Sequence, residues 1–269
     1  MIRGKQLVFV VLFSSLLFAS NAFAVRLQYN VKKDDVWKIK TTLKGSGTAE
    51  FEAGGQKQSL PMEMDVESVT IQKVTAVEAD GTFESTVDYK TEKMKVTVGG
   101  FEPPVPQTPA SKPVTIKMNK FGKVLEIKGL ESAGGAGGVD VSRLMSAMPN
   151  AFPDKDLNVG DTWEVEPRKE FPIKMKGKLL AVENGVAKVE YTVEVLMEAL
   201  VGLLKVPGAE NLKIGGKGVT GKTTVLINIS NGIPTSSEGT MDMDMTIEIP
   251  GQANIRQVMK MTMKTEPVK

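Results

Sequence analysis

The chain has 269 residues, 34 of them Lys or Arg and 32 Asp or Glu, is 41% apolar, and contains no histidine and no cysteine. Lacking both residues, it lacks the commonest general base, the commonest transition-metal ligand, every thiolate metal site and any disulfide framework, so catalysis would have to run on Asp, Glu, Lys, Tyr or Ser. The charge balance argues against nucleic acid, which is held by a surplus of Lys and Arg.

Residues 1–24 read as a secretory signal peptide. Arg3 and Lys5 precede an apolar stretch that opens at Leu7 and resumes through Phe18, and Ala22-Phe23-Ala24 supplies small residues at the cleavage positions. The apolar core is about a dozen residues, short of the roughly 20 that a spanning helix needs, and no later stretch is apolar enough to cross. The sequence therefore predicts export to the periplasm or beyond, with a soluble product and no transmembrane segment after cleavage. Loss of Arg3 and Lys5 leaves 32 basic side chains against 32 acidic ones. Residues 25–269 suffice for a single β-rich domain with a sizeable core.

Period-2 alternation dominates that region, the signature of strands with one buried face. Asp80-Gly81 joins "VTIQKVTAVEA" to "TFESTVDYKTEKMKVTV", and the Pro-rich stretch 101–113 is a loop or linker. "VTIKMNKFGKVLEIKG" reads as two strands about Asn119 to Gly122. After "GGAGG" at 134–138, Asp140 can cap a short amphipathic helix over 140–148, with Val141, Leu144, Met145 and Met148 on one face and Pro149 as its stop. Asn184-Gly185 joins "KMKGKLLAVE" to "VAKVEYTVEV", the apolar cluster 196–204 suits helix or strand, and Asn231-Gly232 follows "TTVLINIS".

At the C-terminus, "TMDMDMTIEIP" sets Met241, Met243, Met245, Ile247 and Ile249 on one side and Asp242, Asp244, Thr246 and Glu248 on the other. "IRQVMKMTMKT" resumes the pattern with Ile255, Met259, Met261 and Met263. A loop over 250–254 that pairs Ile249 with Ile255 predicts Met245 opposite Met259, Met243 opposite Met261, Met241 opposite Met263 and Asp244 opposite Lys260. In total the chain reads as roughly ten antiparallel strands. "NVKKDDVWKIK" and "NVGDTWEVE" align on an Asp two residues before Trp, which makes two related halves, 25–133 and 150–269, an expectation.

Several motifs have a bland reading beside a chemical one. Gly216, Gly221, Lys222 and Thr223 match the phosphate-binding G-x-x-x-x-G-K-[ST] spacing, but "TTVLINISNG" after them reads as a strand rather than a phosphate-holding helix. We take Gly215 to Gly221 as a turn, with no nucleotide site. Asp154, Asp156 and Asn158 occupy the first three positions of a calcium loop, whose sixth position is Val159 and whose twelfth is Val165, so the segment reads as a polar turn. Asp242 and Asp244 belong to a solvated, charge-compensated face and not to a catalytic acid pair.

The methionine alternation is the most unusual feature. Met62 and Met64, the triplet Met241, Met243 and Met245, and the triplet Met259, Met261 and Met263 each project to one side of a strand. Three explanations compete: plain core packing, an adaptable apolar groove suited to acyl chains, and a thioether site for copper(I). Trp37 and Trp163, the two tryptophans, suit core anchors or ligand platforms.

"LNVGDTW", preceded by "MPNAFPDKD" and followed by Met-alternating strands, resembles a family of exported bacterial proteins without an assigned function that carry a Gly-Asp-x-Trp segment midway along a β-rich chain. The long strands also look like the LolA/LolB-like class. That resemblance implies a large curved antiparallel sheet, a half-open barrel of long strands with one or two short helices, and lipid handling. The resulting expectation is an exported, non-enzymatic protein that binds a lipid or acyl chain on a concave face lined by Met62, Met64, Met241, Met243, Met245, Met259, Met261, Met263, Trp37 and Trp163, without cofactor or metal. Two alternatives stand beside it: a structural or envelope-interaction protein with a filled core, and a periplasmic copper(I)-binding protein. An apolar small molecule and another envelope protein are the two partner classes that fit.

Overall fold

The computed structural model describes residues 24–102, 113–129, 151–165, 173–195, 213–249 and 253–268. The expected helix 140–148, the cluster 196–204 and the signal segment 1–23 lie outside the described residues. Among the described residues there is no helix.

The strands are β1 (Val36–Ala53), β2 (Gln56–Val77), β3 (Phe83–Val98), β4 (Val114–Met118), β5 (Val124–Lys128), β6 (Thr162–Val165), β7 (Ile173–Glu183), β8 (Val186–Val195), β9 (Lys213–Asn228), β10 (Pro234–Ile249) and β11 (Ala253–Pro267). They form one 11-stranded antiparallel sheet in the order β5-β4-β3-β2-β1-β11-β10-β9-β8-β7-β6. The chain thus makes two meanders, β1 to β5 and β6 to β11, joined where β1 pairs with β11 from Ile39↔Pro267 to Glu52↔Asn254. The curved sheet is a half-open barrel: β5 and β6 are its edges and do not pair. Central strands are long; β2 has 22 residues, about 70 Å at ~3.3 Å per residue.

Local chemistry explains the hairpins. Asn184 and Gly185 take φ of 49° and 77°, the doubly left-handed pair that a two-residue type I′ turn requires. Alternation then sets the faces. The inner face carries Leu43, Met62, Val66, Val189, Val225, Met241, Met259 and Met261, all below a tenth exposed. The outer face carries ion pairs such as Lys40–Glu67 and Lys93–Asp65, both 2.6 Å, and Lys222–Glu190 at 2.9 Å.

One end of the inner face is closed by segments outside the sheet. Tyr29 stacks near Phe83 and Phe152, with ring centroids 5.4 and 5.5 Å away. Its N–H donates to the Lys120 carbonyl at 2.7 Å, Asn30 N–H donates to the Asn231 carbonyl at 3.0 Å, and Val25 and Leu157 exchange backbone bonds at 2.8 and 2.9 Å. Residues 25–31 therefore tie together turns from both meanders, and Leu27, Phe83, Ile116, Leu157 and Ile227 are almost fully buried around them.

The turns that launch β1 and β6 share their hydrogen bonds. Lys32 N–H donates to the Asp35 carboxylate at 2.7 Å, and Asn158 N–H donates to the Asp161 carboxylate at 2.9 Å. Asp34 and Gly160 have φ of 70° and 98° and donate to the carbonyls of Val74 and Leu179 at 3.0 and 2.7 Å. Val74 and Leu179 in turn donate to the carbonyls of Asp35 and Asp161 at 2.9 and 3.0 Å. Trp37 and Trp163 each follow two residues later, and a register irregularity follows Val74 and Leu179 alike.

The described residues form eleven strands, in keeping with the roughly ten that the turns mark. Two expectations need correction. The β10–β11 register is two residues from the expected one: Met241 faces Met261, Met243 faces Met259, Asp242 faces Lys260 and Ile249 faces Ala253. A two-residue slip preserves side-chain parity, so the alternation set the face correctly and left the register free. Finally, Gly215 to Gly221 is not a turn but the start of β9. Its pairing jumps from Asp244↔Gly218 to Thr246↔Gly215, a bulge with one extra residue on β9, absorbed by Gly216 and Gly218 at φ of 106° and 84°.

Candidate functional site

The register assembles the methionines across four adjacent strands. One row reads Met64, Gly45, Met261, Met241 on β2, β1, β11 and β10, and the next reads Met62, Gly47, Met259, Met243. Met263 lies one row toward the closed end, between Leu43 and Gly239, and Met245 lies one row toward the other, opposite Gln257. Met62, Met241, Met259 and Met261 are buried, whereas Met64, Met243 and Met263 are partly exposed and pack on the core cluster.

Glycines make room for these side chains. A Cβ on Gly45 would stand 2.9 Å from both Met259 Cε and Met261 Cγ, and one on Gly221 would stand 2.8 Å from Met241 Cγ. The long thioethers therefore lie over the backbone of neighbouring strands instead of standing upright. Met is suited to this, because three rotatable bonds let it fill an irregular surface.

The two tryptophans do not join this cluster along the sheet. Trp37 is partly buried on β1, opposite Gln72, four residues before Thr41. Trp163 sits on edge strand β6, 7% exposed. Its indole N–H donates to the Ala151 carbonyl at 2.8 Å, and Tyr191 meets it edge-on with centroids 5.9 Å apart. Burial, with the neighbouring Tyr29, pushes the Tyr191 hydroxyl well above its ordinary range, so it stays protonated. Trp163 is an anchor of the sheet edge.

The outer face has the opposite chemistry. The Asp244 carboxylate accepts from Arg256 at 3.2 and 3.0 Å, and this hydrogen bond, with the attendant charge attraction, holds Asp244 below the usual carboxylate range. Lys93 does the same to Asp65, and Lys40 to Glu67. A shallow depression of about 580 Å3 overlies Gly45, Met241 and Met261, walled by Lys44, Asp242 and Lys260 with three hydroxyl residues. Its walls belong to the outer face, so it is a solvated trough and distinct from an apolar groove.

The remaining motifs resolve into structure. Asp154 and Asp156 are both paired with Arg26, the latter at 3.4 Å. Lys222 is on the outer face of β9. Among the described residues no group of three or more His, Cys, Asp or Glu could hold a metal. No described helix is long and apolar enough to cross a membrane.

The sequence reading missed the polar part of the inner face. Ser68, Thr70 and Gln72 point inward on β2, with Ser68 and Thr70 each 2% exposed and the Gln72 amide donating to Ser85 at 2.9 Å. The signal was present: Met62, Met64 and Val66 set the even phase as inward, yet the apolar residues at 69 and 71 fall in the odd phase.

These features define a class: an open antiparallel meander sheet with an apolar, methionine-rich inner face and a charged outer one. No protein-family profile matches the chain, and no curated protein matches it. Among solved structures, it is similar to a LolA superfamily protein of Nitrosomonas europaea at 12% identity and a TM-score of 0.14, over 86% of each chain. It is also similar to an outer membrane channel of Pseudomonas putida at 8% identity and a TM-score of 0.22, over 89% of this chain and 97% of that one. OccK7 of Pseudomonas aeruginosa is similar at 8% identity and a TM-score of 0.22, over 87% of this chain and 100% of that one.

Proposed function

We propose that the chain is an exported, non-enzymatic binding protein that holds an apolar ligand, a lipid or acyl chain, against the methionine-lined inner face of its half-open sheet. The observation that carries this reading is the pair of adjacent rows, Met64-Gly45-Met261-Met241 and Met62-Gly47-Met259-Met243. A surface of flexible thioethers fits chains of variable shape, and burying such a chain contributes roughly 25 cal/mol per Å2. The outer face supports a water-soluble molecule, since a lipid-facing barrel needs an apolar outer band where this one carries Lys40, Glu67, Lys93 and Asp65. Export follows from the signal-like segment 1–24.

Native mass spectrometry of the protein from its own exporting host tests the reading. A co-purifying lipid of defined mass is the expected result; protein alone, together with no uptake of added amphiphile, would sink it. A second reading, a structural envelope protein with a dry core, is favoured by one observation: Met241, Met259 and Met261 are buried and fitted against Gly45 and Gly221.

A further inference from the structure

Strand β2 changes polarity midway. From Met62 to Val66 its inward positions are apolar and the outward ones beside them, Glu63, Asp65 and Glu67, are acidic; beyond Val66, Ser68, Thr70 and Gln72 turn inward while Val69 and Ile71 turn outward. Folding normally selects against this, because hydroxyls enter the interior and aliphatic surface goes to water. Positions that break the local rule in an otherwise consistent strand are where function is expected.

The register extends the hydroxyls into a belt. Ser68 faces Thr41, Thr41 faces Thr265, and Thr265 faces Ser237, across β2, β1, β11 and β10. The Ser237 and Thr265 hydroxyls bond to each other. The Thr70 hydroxyl, in the next row, is buried and has no hydrogen-bond partner. One row of Val66, Leu43 and Met263 separates the belt from the methionine rows. From Met62 to Thr70, Ile39 to Gly47, Met259 to Thr265 and Ser237 to Met243, no inward-facing position is Lys, Arg, Asp or Glu.

We propose that the inner face recognises an uncharged amphiphile, whose hydrogen-bonding head (an ester, amide or hydroxyl group) lies on the belt formed by Ser68, Thr70, Thr41, Thr265 and Ser237 while its chain runs along the methionines. The inference rests on the apolar-ligand reading and specifies the ligand class. Hydroxyl side chains both donate and accept, so they match a neutral head in either sense. A carboxylate or phosphate head would lose its water beside the described inner-face residues without gaining a cation.

Displacement of a bound fluorescent acyl reporter by 1-monooleoylglycerol or by oleate, which share a chain and differ in head charge, tests this on the protein purified from an exporting host. Monooleoylglycerol is expected to displace the reporter at about tenfold lower concentration than oleate, a difference of about 1.4 kcal/mol. Thr70→Val combined with Ser68→Ala should erase the preference, raising the monooleoylglycerol concentration needed for displacement to that of oleate on the same variant, and Thr70→Ser should keep it. Thr70→Val alone should raise the urea midpoint of the ligand-free protein, because it removes an unsatisfied hydroxyl. Equal or tighter displacement by oleate, or a double variant that retains the preference, overturns the inference and leaves the apolar-ligand reading standing. Failure of both amphiphiles to displace or bind overturns both.

Discussion

The Trp163 indole occupies the space where Gly177 lacks a side chain. The two residues face each other across β6 and β7, and a Cβ on Gly177 would stand 2.2 Å from Trp163 Cε2. Gly177→Ala must therefore push the ring off its seat and break its bond to the Ala151 carbonyl. Overpacking of this kind costs about 1–3 kcal/mol. Urea unfolding should show a loss in that range, and in a Trp37→Phe background the Trp163 emission should shift red. An unchanged midpoint would mean that the edge strand adapts freely.

The turns 32–35 and 158–161 make a second case in which a short sequence dictates geometry. In each, one carboxylate accepts the N–H three residues upstream, and one residue with positive φ reaches the next strand. Asp35→Ala and Asp161→Ala each lose one such bond, about 1 kcal/mol. The two variants should lower the urea midpoint by similar amounts, and the double variant by their sum, since the turns share no partner. A large loss from one and none from the other would show that the shared hydrogen bonds do not carry shared energetics.

How far the sequence could be read depended on what each pattern constrains. Alternation in 241–249 and 255–263 determined which side chains share a face, and turn pairs such as Asn184-Gly185 located hairpins. The same alternation is blind to a two-residue slip, so Met241 met Met261 and not Met263. Gly215 to Gly221 looked like a turn because glycines with positive φ serve turns and bulges equally. Ser68 and Thr70 stayed hidden because a polar residue in a strand is read as outward by default, and only the phase of their neighbours says otherwise. The meeting of β1 with β11 at the centre of the sheet joins the first and last described strands in chain order, and no local pattern encodes it.

Acid sensitivity follows from the outer face. Arg256 lowers the Asp244 pKa in the folded chain, so the stabilisation is present above the unfolded value of about 3.9 and is lost as pH falls through the folded value. Asp244→Asn should therefore be less stable than the parent at neutral pH, with the gap closing as pH drops below about 4. Urea midpoints measured across that window check the sign; a gap that widens in acid would contradict the assignment. Arg256 is about half exposed, so the effect should shrink in high salt.

Copper(I) binding through methionine asks for sulfurs that can leave their present contacts. Met259 Cε and Met261 Cγ each crowd the space beside Gly45, inside a buried layer, and the chain has no imidazole or thiolate to anchor the ion. Titration against a chromophoric copper(I) chelator should leave the chelator saturated at every protein concentration. Stoichiometric withdrawal of the metal would restore the thioether site as the leading reading.

The methionine rows separate the binding reading from the dry-core reading by position. Met241 and Met261 face each other, and both are buried, so truncating either to Ala removes core packing at a cost of about 2–5 kcal/mol. Met64 and Met243 lie at opposite ends of the two rows and are only partly buried, so their truncation should cost less in stability. If the rows hold a chain, Met64→Ala with Met243→Ala should weaken displacement of an acyl reporter more than it lowers the urea midpoint, because it shortens the contact surface without hollowing the core. Should the same pair unfold the protein as readily as Met241→Ala with Met261→Ala, and leave reporter affinity per folded molecule unchanged, the methionines are filling rather than lining, and the inner face is a core.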